Sequence, residues 1–437
     1  MNTTRNLIRW LSPTLLVGLL LVACQPTPVP TTPPVPPTPS LPPLPPTPPT
    51  PSIDDVIYLS IVWHQHQPLY YKDPETGVYA RPWVRVHGTK DYHDMAAMVE
   101  AYPDVHVTFN LTPSLIRQLE DFVAGAKDQY WVLAEKPAAE LTDEERLYLL
   151  RHFFDANWDN QIGVFPRYRA LLDKRGTDTS ADGLAAAIER FTERDLRDLQ
   201  VWFNLAWFDP DFLAQEPLKG LVEKGEGFTE EDKRVVFDET RRILAEILPV
   251  HARLQRAGQI EVTMTPYAHP ILPLLYATDL AKVGAPDATL PERFSFPQDG
   301  IAQVERGVAR YREIFGQDPR GMWPAEGAVA QEIVKMVSDA GLLWMASGEQ
   351  VLAKSLGLEG FTRNSKDIVQ EADKLYRPYY VQQGDGRPVG MVFRDLLISD
   401  KVGFNYTSIR EISPGRLLYV HDAPKLNAQY VDVERVR

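Results

Sequence analysis

Short runs that are apolar on both faces recur along this chain, as strands covered on two sides require. They fall at 56–63, 105–111, 259–265, 342–346, 389–393 and 416–420, with a shorter one at 320–323. Between several of them, apolar positions return with helical spacing, at 91–101, 114–125, 301–315 and 328–340. Strand alternating with helix predicts parallel pairing through right-handed crossovers, the α/β class. From about 128 to 258 the alternation stops. There 141–156, 180–208 and 229–257 read as helices, a helical region inserted into the strand-helix order. Thr229 is the expected cap of the last, with acids following in its first turn.

The first residues follow another pattern. Arg5 and Arg9 precede an apolar run, 11–22, that is too short to span a bilayer and ends in Leu21-Val22-Ala23-Cys24. A basic start, a short apolar core and a small residue before the cut predict a secretory signal. The ending resembles a bacterial lipoprotein signal, so Cys24 is expected to carry lipid and anchor an exported chain to the cell envelope, facing outward or into the periplasm. Residues 25–52, almost all Pro and Thr, predict an extended stalk. What remains, 53–437, suits one large α/β barrel. Cys24 is the only cysteine, so no disulfide supports that domain. With 46 basic against 59 acidic residues the formal charge is −13, which argues against a nucleic-acid partner. Nine Trp and eighteen Tyr suit stacking on sugar rings.

Polar residues at the ends of strand-like runs are the candidates for chemistry, because parallel strands aim their carboxyl ends at one pocket. His64 and His66 lie on one face of the first run, able to bind sugar hydroxyls or to ligate a metal. Glu261 sits among β-branched residues, followed by Tyr267 and His269. Glu326 follows Trp323 and Pro324 and precedes the run 328–340, so it is expected near a helix amino terminus whose dipole favours a charged nucleophile. Asp395 closes the run 389–393 and has the position of a proton donor; Asp422, after His421, is its rival, and position alone does not choose between them.

Six segments carry a resemblance to glycoside hydrolase family 57, in its amylopullulanase and α-amylase branch. They are His64-Gln65-His66-Gln67-Pro68, Thr108 to Leu115, Phe203 to Phe208, Gly258 through Glu261 to His269-Pro270, Trp323-Pro324-Ala325-Glu326, and Phe393-Arg394-Asp395 through to Gly403-Phe404. The resemblance implies an incomplete (β/α)7 barrel that acts on α-glucan polysaccharides or oligosaccharides with retention of configuration, with no cofactor and no metal. It implies Glu326 as nucleophile and Asp395 as acid/base, with His66, Glu261, His269 and Trp323 lining the sugar site beside His64. An Asp-Gly-Glu segment that also borders the site in the family does not occur in this chain, so one wall of the pocket is expected to be missing and the chain to be truncated. That leaves as an alternative a surface lipoprotein that holds α-glucan but cuts it poorly. A metal-dependent amidohydrolase, using His269 and His421 as further ligands, is the third reading.

Overall fold

The computed structural model describes residues 58–403 and two further strands, 416–419 and 429–432. The expected signal, Cys24, the stalk, His421 and Asp422 lie outside the described residues. Seven strands matter for the site: β1 (Val62–Gln65), β2 (Val107–Leu111), β3 (Ile260–Thr263), β4 (Gly321–Met322), β5 (Trp344–Gly348), β6 (Tyr379–Val381) and β7 (Val389–Arg394). β1, β2 and β3 form one parallel sheet; β4, β5 and β7 form another, with β6 antiparallel on its edge. A parallel bridge between Met264 and Met322 joins the two. There the Trp323 amide donates to the Met264 carbonyl at 2.9 Å. The class is mixed α/β, as the alternation predicts. The arc does not close: among the described residues no ladder joins β1 to β6 or β7.

Strand side chains alternate between faces, so one register row in two points the same way. Phe109, Val262, Met264, Met322, Met345 and Met391 fill one face and pack beneath Val304, Val308 and Tyr311 of helix Pro297–Phe315. The intervening positions face the other side. Across β1, β2 and β3 a single row there reads His64, Asn110, Thr263.

Between 129 and 256 every regular element is a helix, and these pack round an aromatic core in which Tyr130 stacks on Phe153 and Phe203 at ring separations of 5.6 and 5.3 Å. Helix Glu230–Arg256 begins at a capping box, with the Thr229 side chain on the Asp232 amide and the Asp232 carboxylate returning to the Thr229 amide. Its 27 residues serve three clusters in turn. Val236 and Phe237 join the aromatic core, Leu244 and Ile247 pack with Leu115 and Leu119, and Val250 and Leu254 reach the sheet.

Two expectations fail. Run 328–340 is α-helical only over Val334–Asp339, after a short 3-10 turn at Gln331–Ile333. Gly327 has φ +65°, and Ala328 and Ala330 leave it extended, so the apolar Val329 meets the sheet core from a loop. Run 416–420 does not continue the parallel order. Its strand β8 (Arg416–Tyr419) pairs antiparallel with β9 (Gln429–Asp432) in a sheet of two. The connection 420–428 is shorter than the dozen or more residues that a parallel crossover needs, so the chain returns as a hairpin.

Candidate active site

The row His64, Asn110, Thr263 is wired across three strands. The Asn110 amide donates to Thr263 Oγ1 at 3.0 Å, which orients its oxygen toward His64 Nδ1 at 2.7 Å. Asn110 and Thr263 are fully buried, so neither has water as an alternative partner. This network assigns the proton of His64 to Nδ1 and leaves Nε2 an acceptor. His66 follows on the same side, its ring 5.4 Å from that of His64. His269 stacks on His66 at 3.9 Å and lies 5.1 Å from His64, while Trp323 stands 5.9 Å from His64. Loss of hydration holds His64 down to about 4 against the pull of its Asn110 bond. Lost hydration, with the two other imidazoles beside it, lowers His269 to about 3. His66 is lowered too, chiefly by lost hydration, against the opposing charge of Glu326. All three are therefore neutral near pH 7. His269 Nε2 is buried without a hydrogen-bond partner.

Glu326 has φ +58° and ψ +17°, a left-handed conformation that costs an ordinary residue roughly 1–2 kcal/mol. His269, with φ +60°, shares that rarity, and the two face each other, Nδ1 to Oε1 at 3.8 Å, too long for a hydrogen bond. The turn is pinned from below. Ser347 of β5 donates its hydroxyl to the Gly327 carbonyl at 2.6 Å, and the Gly327 amide closes on Pro324 at 2.8 Å. The Glu326 carboxylate is 67% exposed. Because the α-helix starts only at Val334, the helix-dipole support expected for this carboxylate is absent; the strained turn aims it instead.

Asp395 leaves the end of β7 and accepts from Tyr376 Oη at 2.6 Å and from Arg363 Nη2 at 3.1 Å. Arg363 also makes a two-pronged pair with Glu349, at 2.9 and 2.7 Å, from the helix that follows β5. Glu349 in turn takes the Leu396 amide at 3.0 Å. The carboxyl ends of β5 and β7 are thus stitched together. Lost hydration, with the bond to Asp395, raises the Tyr376 phenol well above its ordinary range. Glu326 follows β4 and Asp395 follows β7, with β5 between them.

The structure gathers His64, His66, His269, Trp323 and Glu326, and sets Asp395 in its own network of donors. Glu261 stands apart from the histidines. It lies in the row of Val62 and Thr108, one pleat below His64, and accepts from Trp344 Nε1 at 3.0 Å. Sequence reasoning did not single out Asn110, Thr263, Ser347, Arg363 or Tyr376. Asn110 carries the signal that marked His64, a polar residue late in a strand run; Arg363 and Tyr376 come from a connection with no pattern at all.

The model of glycosyl hydrolase family 57 matches residues 60–432. The chain belongs to that family. No curated protein matches it. Solved structures similar to this family 57 chain include the alpha-amylase AmyC of Thermotoga maritima, at 16% identity and TM-score 0.40, matched over 78% of this chain and 46% of that one. Another is the family 57 branching enzyme of Pyrococcus horikoshii, at 16% and 0.40, over 82% and 52%. The 4-alpha-glucanotransferase of Thermococcus litoralis aligns at 13% and 0.37, over 80% and 29%. The chain spans about half the length of the first of these and less than a third of the last. In this family 57 chain one nitrogen from each of His64, His66 and His269 lies within 4.8 Å of the others. Three neutral imidazoles so disposed can pair with hydroxyl groups or gather on one metal ion.

Proposed function

We propose that this family 57 chain is a retaining hydrolase of α-glucans, its strands the arc of an incomplete (β/α)7 barrel. The observation that carries the reading is Glu326, an exposed carboxylate in a strained turn over a floor of neutral imidazoles and Trp323. In the first step a Glu326 oxygen attacks the anomeric carbon while the bond from that carbon to the glycosidic oxygen breaks, and protonated Asp395 gives its proton to the leaving oxygen. In the second step water attacks the glycosyl ester, returns a proton to Asp395 and frees Glu326. Retention needs the two carboxyls about 5–5.5 Å apart in the working complex. His64, His66 and His269 hold sugar hydroxyls, and Trp323 stacks on a ring face. Glu261 acts one layer below, through Trp344. A mechanism-based fluorosugar should label Glu326; labelling of another acid would overturn the assignment. Lipid on Cys24 would tether the enzyme to the envelope, which mass spectrometry of the mature chain tests.

A second reading is an α-glucan-binding lipoprotein. The exposure of Glu326 and of Val392 and Arg394 on β7 favours it, because an uncovered wall excludes water poorly. Retention on an amylose column, without release of reducing ends from maltodextrin or pullulan, would select it. Stoichiometric zinc after dialysis would instead select the metal-dependent class.

A further inference from the structure

Away from the histidines, three aspartates converge. Asp94 is on helix His93–Glu100, and Asp209 and Asp211 flank Pro210 at the start of the separate short helix Pro210–Leu213. One carboxylate oxygen from each lies within 4.8 Å of the others. Asp94 is 7% exposed and Asp209 2%, yet Oδ2 of each is buried with no hydrogen-bond partner. Asp209 spends its other oxygen on the Asp211 amide at 2.8 Å. A buried carboxylate without donors is costly unless a proton or a cation joins it. The ammonium of Lys90 is nearby, but it bonds Asp91 at 3.1 Å, and Asp91 gives its second oxygen to His87 at 2.9 Å. No ion pair joins Lys90 to Asp94 or Asp209 among the described residues.

We propose that Asp94, Asp209 and Asp211 hold a hard divalent cation, for which calcium and its analogue terbium serve as probes. Three carboxylate oxygens within 4.8 Å of one another can share one hard divalent ion, which prefers oxygen ligands of this kind. Asp211 is exposed, which gives the ion a way in and leaves water to complete its shell. Burial first, then the neighbouring Asp209 charge, disfavours the ionised Asp94 carboxylate, a cost that a bound cation offsets. Tyr92, two residues before Asp94 in the chain, accepts from Gln67 at 3.2 Å in the segment that carries His66.

The test uses the full chain, freed of metal by chelation, at pH 8. Terbium luminescence sensitised by Trp207, two residues before Asp209, should rise to one equivalent and be displaced by calcium. A hundredfold excess of calcium over Kd should raise Tm by roughly 5 °C. Asp94→Asn and Asp209→Asn should each weaken terbium binding at least about tenfold; Asn at 209 still caps the following turn. Asp211→Asn, at an exposed position that tolerates change, should weaken it several-fold even if a buried variant fails to fold. A calcium-independent Tm in the parent chain, or terbium binding untouched by Asp211→Asn and by whichever buried variant folds, would overturn the site.

Discussion

At Glu326 the backbone works against the residue type. A left-handed glutamate persists only where its surroundings over-determine it, and here Ser347 and the paired carbonyls of Pro324 and Ala325 do so. Glu326→Gln keeps the shape and removes the nucleophile, so turnover should fall by at least about 10³-fold with glucan affinity retained, measured by maltodextrin assay and by retardation on immobilised amylose. Ser347→Ala frees the turn without touching substrate. It should lower kcat about tenfold and leave KM nearly unchanged, the pattern of a positioning residue. Tyr376→Phe removes one of two strong donors on Asp395 and should shift the pH profile of kcat; an unchanged profile would exclude Tyr376 from the proton-transfer machinery. The carboxylates were legible in the sequence because each ends a strand run. Their partners were not, since Arg363 and Tyr376 reach Asp395 from 32 and 19 residues away, distances that no local pattern encodes.

Among the elements, strands were read more truly than what joins them. The runs at 105–111, 259–265, 342–346 and 389–393 became β2, β3, β5 and β7 within a few residues, because an apolar run buried on both faces has few other fates. β6 escaped notice: Tyr379-Tyr380-Val381 is an edge strand with Tyr380 in solvent, and three residues are too few to show a period. The 328–340 run misled because its apolar spacing serves a loop packed on the sheet as well as it would serve a helix. β4 carries a glycine at 321, where a side chain would not fit. A Cβ there would come within 2.2 Å of the Trp344 ring, which crosses Gly321 to reach Glu261. Gly321→Ala should therefore displace Trp344, break its bond to Glu261 and cost about 1–3 kcal/mol in urea unfolding, with altered tryptophan fluorescence in the native baseline. Wild-type stability would mean that Trp344 can move freely.

For the whole molecule, buried histidines set an acid limit. His251 is fully buried in helix Glu230–Arg256, donates Nδ1–H to the Ile247 carbonyl at 2.8 Å, and is held down to about 4 by burial. Its folded value lies below its unfolded 6.5, so the unfolded chain takes up the proton first as pH falls. Between about 6.5 and 4 this one group should remove about 3 kcal/mol, and His64 and His269 act in the same direction. Asp94, raised instead, works the other way and favours the fold as pH falls toward 4. Urea midpoints at pH 7 and pH 4.5 should show a shallower fall for His251→Gln than for the parent chain; parallel slopes would dismiss His251. The helix that carries His251 is also the one that runs through three hydrophobic clusters. Like a tent pole shared by several rooms, it leaves none of them free to collapse alone: deleting residues 129–256 should yield an insoluble remnant rather than a trimmed enzyme, and heating the intact chain should melt helices and strands in one step.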